Sequence, residues 1–115
     1  LRELHTELAK QAITFGDVTP DPRSHYVETP DTLCEVVRCP FFTTYVAHLS
    51  HPLSYDVSRV DSFVIVMTLS GSCCLTDENG AAVILQEHEA ALVPAAARML
   101  NVTPDGKTKI LVSHL

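Results

Sequence analysis

Residues 61–98 constrain the fold more than any other part of the chain. They contain short apolar runs separated by Ser70-Gly71, Asn79-Gly80 and Pro94. Short apolar strands with tight turns between them are typical of small antiparallel barrels and sandwiches. This segment therefore predicts the central part of an all-β domain.

Strand-like patterns continue on both sides of this segment, and no helical pattern lies between them. Parallel βαβ units are excluded for that reason, and the chain predicts an antiparallel jelly-roll barrel of about eight strands. Asn79-Gly80 predicts a hairpin with a type I′ turn, Pro104-Asp105-Gly106 predicts another turn, and residues 50–58 are predicted as a link that contains a proline. The predicted strands cover residues 33–38, 41–49, 62–69, 72–76, 81–86, 90–93, 99–102 and 108–114.

The first thirteen residues have a helical pattern. Leu1, Leu4, Leu8 and Ala12 recur on one face, with polar residues opposite. Because this pattern is already running at residue 1 without a capping residue, we expect the chain to be a fragment of a longer one. The predicted organisation is a single domain over 1–115, made of a helix over 1–13, an extended proline-containing linker over 14–32 and the barrel over 33–115.

Composition narrows the function classes. A chain of 115 residues, 46% hydrophobic and 19% charged, predicts one globular domain with a core. The net charge of -6 argues against binding to nucleic acid or to an anionic membrane surface. The longest apolar run, residues 90–97, is far shorter than the roughly 20 residues of a membrane-spanning helix. There is no signal-like start, so we expect a soluble, cytoplasmic protein.

The four cysteines predict no redox or zinc motif. Cys73 and Cys74 are adjacent on a predicted strand, so their side chains point to opposite faces. Cys34 and Cys39 lack the C-x-x-C spacing. The even count leaves two disulfides open, but we favour reduced, partly buried thiols.

The residues alone predict no catalytic residue and no metal ligand, and they leave substrate-binding residues unknown. Ser70-Gly71-Ser72 is not a nucleophile elbow, and Glu87 and Glu89 flank a turn, where solvated carboxylates are expected. The histidines form no H-x-H, H-x-x-x-H or H-E-x-x-H motif. The six histidines are His5, His25, His48, His51, His88 and His114.

Residues 61–98 resemble a cupin barrel in the order of their strands and turns. The first motif of that family carries an H-x-H pair and a glutamate before a glycine; the second carries a histidine after a proline. When the motifs are anchored on Gly71 and Pro94, none of the four ligand positions keeps a ligand of the motif, so the resemblance implies a metal-free, structural barrel. The positions are Val64 for the glutamate, Val57 or Ser58 and Arg59 or Val60 for the pair, and Met99 for the last histidine.

A narrower resemblance covers nearly the whole chain. The run Val37-Arg38-Cys39-Pro40-Phe41-Phe42-Thr43-Thr44, followed by Asp61-Ser62-Phe63 and Leu92-Val93-Pro94-Ala95, is similar to the C-terminal part of short bacterial type I mannose-6-phosphate isomerases. Those enzymes pair a metal-bearing N-terminal cupin with a metal-free C-terminal one.

This second resemblance implies what the parent enzyme does. It would interconvert mannose 6-phosphate and fructose 6-phosphate by proton transfer through a cis-enediol, with zinc polarising the sugar oxygens. The zinc ligands and acid/base groups would lie upstream of Leu1, in a catalytic N-terminal half that is also the partner of this domain. By analogy, His5 could approach that active site. The chain alone is expected to be inactive.

Two alternatives remain. One is a free-standing, metal-free cupin that binds a small ligand or effector inside the barrel. The other is a metal cupin with relocated histidines. A tightly packed interior favours the structural half of an enzyme, whereas an open pocket with converging polar groups favours a ligand-binding protein.

Overall fold

The structure, a computed structural model, describes residues 4–16, 23 and 25–115. Its one helix is short and its strands run antiparallel, which confirms the all-β prediction. The elements are α1 (Thr6–Ala12), β1 (Cys34–Arg38), β2 (Thr43–Leu49), β3 (Leu53–Asp56), β4 (Val64–Asp77), β5 (Ala82–Leu85), β6 (Ala90–Val93) and β7 (Met99–His114).

The helix is shorter than its sequence pattern predicts. It covers seven residues, and residues 1–3 of the predicted helix lie outside the described part. None of its residues is buried: Leu8 is 62% exposed, and Leu4, which precedes the helix, is 87% exposed. Of the linker predicted over 14–32, the described residues are irregular, and 17–22 and 24 lie outside the description.

Two segments that the sequence predicts as turns lie inside continuous strands, so the number of strands differs from the prediction. Ser70-Gly71 lies inside the continuous strand β4, and Pro104-Asp105-Gly106 lies inside β7. Gly71 and Gly106 have φ values of 76° and 74°, and the register of β4 against β7 shifts on both sides of Ser70. These residues therefore form β-bulges that bend the two strands without ending them.

One strand, β3, was missed by the sequence prediction. Residues 50–58, predicted as a link, contain β3, whose register runs from Leu53 opposite Val102 to Asp56 opposite Met99. Leu53 is half-buried and Ser54 exposed, an alternation typical of a strand with one face on a core. Pro52 immediately precedes the strand, where it removes no hydrogen bond from the ladder.

The predicted hairpin at Asn79-Gly80 is present, but its turn is not type I′. Gly80 has φ 83°, whereas Asn79 is not among the residues with positive φ. Asp77 organises the turn by accepting the N–H groups of Asn79 and Ala81 at 2.9 and 2.8 Å. The Ala81 N–H is the main reason that the pKa of the Asp77 carboxyl lies below its ordinary value.

Strands β4 and β7 belong to both layers of the barrel. In one layer, the first part of β4 pairs with β6 on one side and with the end of β7 on the other. The end of β7 also pairs with β2, and β1 pairs with the far side of β2. The second part of β4 pairs with β5 and with the start of β7, which also pairs with β3. Apolar residues of both layers meet in one core: Ala47, Leu49, Val57, Val64, Val66, Cys73, Leu75, Leu85, Leu100, Val102, Ile110 and Val112.

Candidate functional site

Most of the positions at which the cupin motifs would place metal ligands lie in or against the hydrophobic core, whereas the alternative positions Ser58 and Arg59 are exposed. Val64 and Val57 are 2% and 3% exposed, and both belong to the core cluster. Val60 packs against that cluster, and Met99 is half-buried at the start of β7. Valine carries no donor atom for a divalent cation, and the thioether of Met99 would be a single soft donor without a second ligand among the other three, so these four residues do not fit a metal.

The histidines lie at separate places on the barrel and the helix. His48 Nε2 is 3.0 Å from Glu28 Oε1, His51 contacts Asp31, and the ring of His114 stacks on Tyr45 with centroids 5.9 Å apart. The remaining three, His5, His25 and His88, are exposed. Among residues 4–16, 23 and 25–115, no three His, Cys, Asp or Glu side chains come together in a way that could hold a metal ion.

Asp31 is a polar junction that sequence reasoning missed. Its Oδ1 atom accepts the N–H groups of Ser50 and His51 at 2.6 and 2.9 Å, and its Oδ2 atom lies 2.9 Å from His51 Nδ1. The Ser50 N–H is the largest influence on the pKa of this carboxyl, which falls to about 2. The sequence signal is weak: Asp31 follows Pro30 in a turn, and its partners lie about twenty residues further on.

The serine and glutamate candidates also have structural roles. Glu89 Oε2 accepts the N–H of Gln86 at 2.9 Å and Glu87 Oε2 accepts that of Gly71 at 3.4 Å. Ser72 is placed at the bend of β4, where its carbonyl accepts the Thr108 hydroxyl at 2.8 Å. No hydrogen bond joins a serine or cysteine side chain to a histidine in the part of the chain that the structure describes.

The four cysteines are free, with Cys34 and Cys73 buried and Cys39 and Cys74 partly exposed. Burial raises the pKa of the Cys73 thiol, against a smaller lowering by the Thr68 hydroxyl 3.6 Å away. A thiol with a raised pKa is a poor nucleophile at neutral pH. Cys73 is therefore a core residue by its environment.

An apolar groove of about 200 Å³ lies between β5 and β6. Leu75 and Leu100 form its floor, and Val83, Leu92 and Pro94 line its sides. Its polar lining residues are Thr76 and Asp77, and the Asp77 carboxylate is already engaged in the turn after β4. The groove can admit a small apolar group, but it lacks the converging polar groups of a typical specific ligand site.

The bent two-layer architecture is that of the cupin barrel, and the predicted jelly-roll cupin fold is confirmed. No helix within the described residues is long and apolar enough to cross a membrane. No family model matches the chain, and no curated protein matches its sequence.

Three solved structures illustrate the likeness in fold. Mannose 6-phosphate isomerase from Bacillus subtilis superposes with a TM-score of 0.66 at 22% identity, over 99% of this chain and 35% of that one. A cupin-2 domain protein from Shewanella frigidimarina gives a TM-score of 0.61 at 9% identity, over 76% of this chain and 83% of that one. An RmlC-like cupin protein from Desulfovibrio desulfuricans gives a TM-score of 0.60 at 12% identity, over 88% of this chain and 94% of that one. The chain thus spans about a third of the length of the isomerase and most of the length of the two smaller cupins.

Proposed function

We propose that this chain is the metal-free C-terminal cupin domain of a mannose-6-phosphate isomerase. The observation that carries the proposal is the extent of the match: the isomerase covers 99% of the chain, against 76% and 88% for the two smaller cupins. A match of that extent includes segments outside the barrel. Shared segments outside a common fold support a relationship that the barrel alone cannot.

The interior of the barrel supports a structural role. Its core is filled by aliphatic side chains, including those at the expected ligand positions Val57 and Val64. In this proposal the chemistry of the parent belongs to the upstream half, where zinc would polarise the sugar oxygens during proton transfer. In this proposal the present chain provides a surface against which the upstream half packs.

Exposed apolar residues indicate where the catalytic half would pack. Leu4, Leu8 and Phe15 of the N-terminal segment are exposed, and a helix of seven residues is not stable in water without tertiary packing. On the barrel, Met67 and Leu92 are exposed on the outer side of the β4–β6 pair. Packing of α1 and this sheet face against the upstream half would bury both surfaces.

The experiment uses the full-length gene product, purified with zinc. We expect it to convert mannose 6-phosphate to fructose 6-phosphate, and we expect the 115-residue chain alone, with zinc added, to give no turnover. Turnover by this chain alone, or a gene that encodes no upstream metal-binding cupin, would overturn the proposal.

The packing role is tested separately with the double variant Leu4→Glu/Leu8→Glu. It should lower the Tm of the full-length protein but leave the Tm of the isolated chain unchanged, because neither side chain is buried here. Lys10→Glu, a charge change on the same helix, is the control. Equal effects of both changes on the full-length protein would contradict the assignment of the apolar face.

A second candidate is a free-standing cupin that binds a small ligand. The groove between β5 and β6 favours it, as does the coverage of 83% and 94% of the two smaller cupins. A ligand seated there should protect Val83 and Leu92 from solvent and raise the Tm of the chain. Leu75→Phe would fill the groove and remove that effect, whereas binding elsewhere would be unaffected.

A further inference from the structure

A second cleft, of about 300 Å³, lies where β2, β4 and β7 meet near the bend. It differs from the apolar groove in the chemistry of its lining, which contains two amines, an imidazole and three hydroxyls but no carboxylate. The lining residues are Pro30, His48, Leu49, Ser50, Ser70, Lys107, Thr108 and Lys109.

The strand register places the polar groups on one side of the sheet. Lys109 lies opposite His48 on β2, and residues directly opposite each other share a face. Ser70, at the bulge of β4, is also paired with Lys109 and lines the same cleft. Lys107 is two residues from Lys109 on β7, so the period of the strand puts it on the same side, and Ser50, just after the end of β2, also lines the cleft. Thr108, between the two lysines, is buried on the core side.

Two cationic side chains line the cleft in an acidic chain. Lys107 and Lys109 are two of the three lysines in a chain of net charge -6, and neither forms an ion pair with any residue that the structure describes. Two carboxylates lie close to lining residues of the cleft. Glu28 lies 3.0 Å from His48 Nε2, and Asp31 accepts the Ser50 N–H at 2.6 Å.

Gly71 allows the backbone of β4 to approach the backbone of β7 closely beside the cleft. A Cβ atom at this position would lie 2.6 Å from the carbonyl oxygen of Lys107, and the residue has φ 76°. Only glycine allows this approach without strain. The bulge of β4 is therefore seated directly against the backbone that carries Lys107.

We infer that this cleft binds a phosphoryl group, either as free inorganic phosphate or as the phosphate of a small phosphomonoester. A phosphate dianion offers several acceptor oxygens, which match the amines of Lys107 and Lys109 and the hydroxyls of Ser50 and Ser70. Lysine is a common phosphate ligand because its ammonium group is a compact point charge. The inference does not depend on the proposed isomerase relationship, since it uses only groups on this barrel.

The test is calorimetric titration of the chain at constant ionic strength. The probes are inorganic phosphate, glycerol 3-phosphate and, as the uncharged analogue, glycerol. We expect saturable binding of one or both phosphate compounds and none of glycerol. The double variant Lys107→Gln/Lys109→Gln should weaken phosphate binding roughly tenfold or more. Lys10→Gln, which removes a lysine from α1, is the matched control and should bind like the unchanged chain.

The two phosphate sources are distinguished by comparison. Tighter binding of glycerol 3-phosphate than of phosphate would identify a phosphorylated small molecule; equal or weaker binding would identify the free anion. If Lys109→Gln lowers the folded fraction, Ser70→Ala and Lys107→Gln, both at exposed positions, provide the same test. Absence of saturable binding, or equal binding by the double variant and the Lys10→Gln control, would overturn the inference. Either result leaves the turnover assay of the full-length protein unaffected, so the two proposals fail independently.

Discussion

Asp31 and His51 fasten the linker to the corner between β2 and β3, with Asp31 Oδ2 2.9 Å from His51 Nδ1. The backbone takes part as well: the N–H of Asp31 donates to the carbonyl of His48 at 2.9 Å. Asp31 adopts φ 54°, a conformation that aspartate and asparagine tolerate better than most residues. One side chain thus sets the path by which the chain enters the barrel.

The first prediction concerns the pH dependence of this junction. The pKa of the Asp31 carboxyl falls from an ordinary value of 3.8 to about 2, so its stabilising effect is complete above the ordinary value and is lost as the pH falls through about 2. Asp31→Asn keeps the backbone conformation but removes the charge, and it should lower the Tm at neutral pH.

This difference in Tm should shrink as the pH is lowered toward 2, the pKa of Asp31. Thermal unfolding followed by circular dichroism at a series of pH values measures it. Asp61→Asn, at another exposed aspartate, is the control and should change the Tm little. A Tm difference for Asp31→Asn that is independent of pH would contradict the assigned role of the carboxylate.

The second prediction compares two glycines. Gly80→Ala should cost about 1 kcal/mol, because φ 83° is strained for alanine although the space is open. Gly71→Ala should cost about 2–4 kcal/mol, since strain and overlap with the Lys107 carbonyl add together. Urea unfolding of the two variants measures the difference, and equal costs would show that the bulge can open to admit a methyl group.

The third prediction tests the packed interior. Ile110 is fully buried (0% exposed) and Ile84 is 65% exposed, so the same truncation should have different effects. Ile110→Ala should lower the free energy of unfolding by about 2–5 kcal/mol, and Ile84→Ala should change it by less than about 0.5 kcal/mol. Chemical denaturation decides this, and a small loss for Ile110→Ala would indicate a loosely filled barrel.

The fourth prediction concerns the thiols. In the folded chain, a thiol-specific alkylating reagent should modify Cys39 and Cys74 before Cys34 and Cys73, because the last two are buried and burial raises the pKa of Cys73. Peptide mass spectrometry over time gives the order. Denatured protein is the control, in which the four rates should converge; early labelling of Cys73 would place it outside the core.

The fold class was predictable from sequence because strand periodicity and the absence of intervening helices are local signals. The continuity of the strands was not predictable from sequence. Ser70-Gly71 and Pro104-Asp105-Gly106 carry residues that suit a turn, but the same positive φ also suits a bulge, and only the pairing of β4 with β7 distinguishes the two. In β3, the alternation of Leu53 and Tyr55 was readable, but the adjacent proline suggested a link.

The candidate sites were less predictable for a related reason. The junction at Asp31 and the cleft around Lys109 are assembled from residues that are distant in sequence, and Lys109 meets Ser70 only through the register of β7 against β4. Neither site has a local motif. The valines at the expected ligand positions could be read directly, because an aliphatic residue at a known motif position needs no tertiary information.

The place of β7 in the barrel has a consequence for how the chain folds. Both layers are completed by this strand, and its pairings join residues as far apart as Thr43 and His114. Contacts at such long separation along the chain make folding slow. During synthesis, β1 to β6 can leave the ribosome without their central partner, and their unpaired edges would then be exposed to other chains. The barrel as a whole can close only after residues 99–114 have emerged.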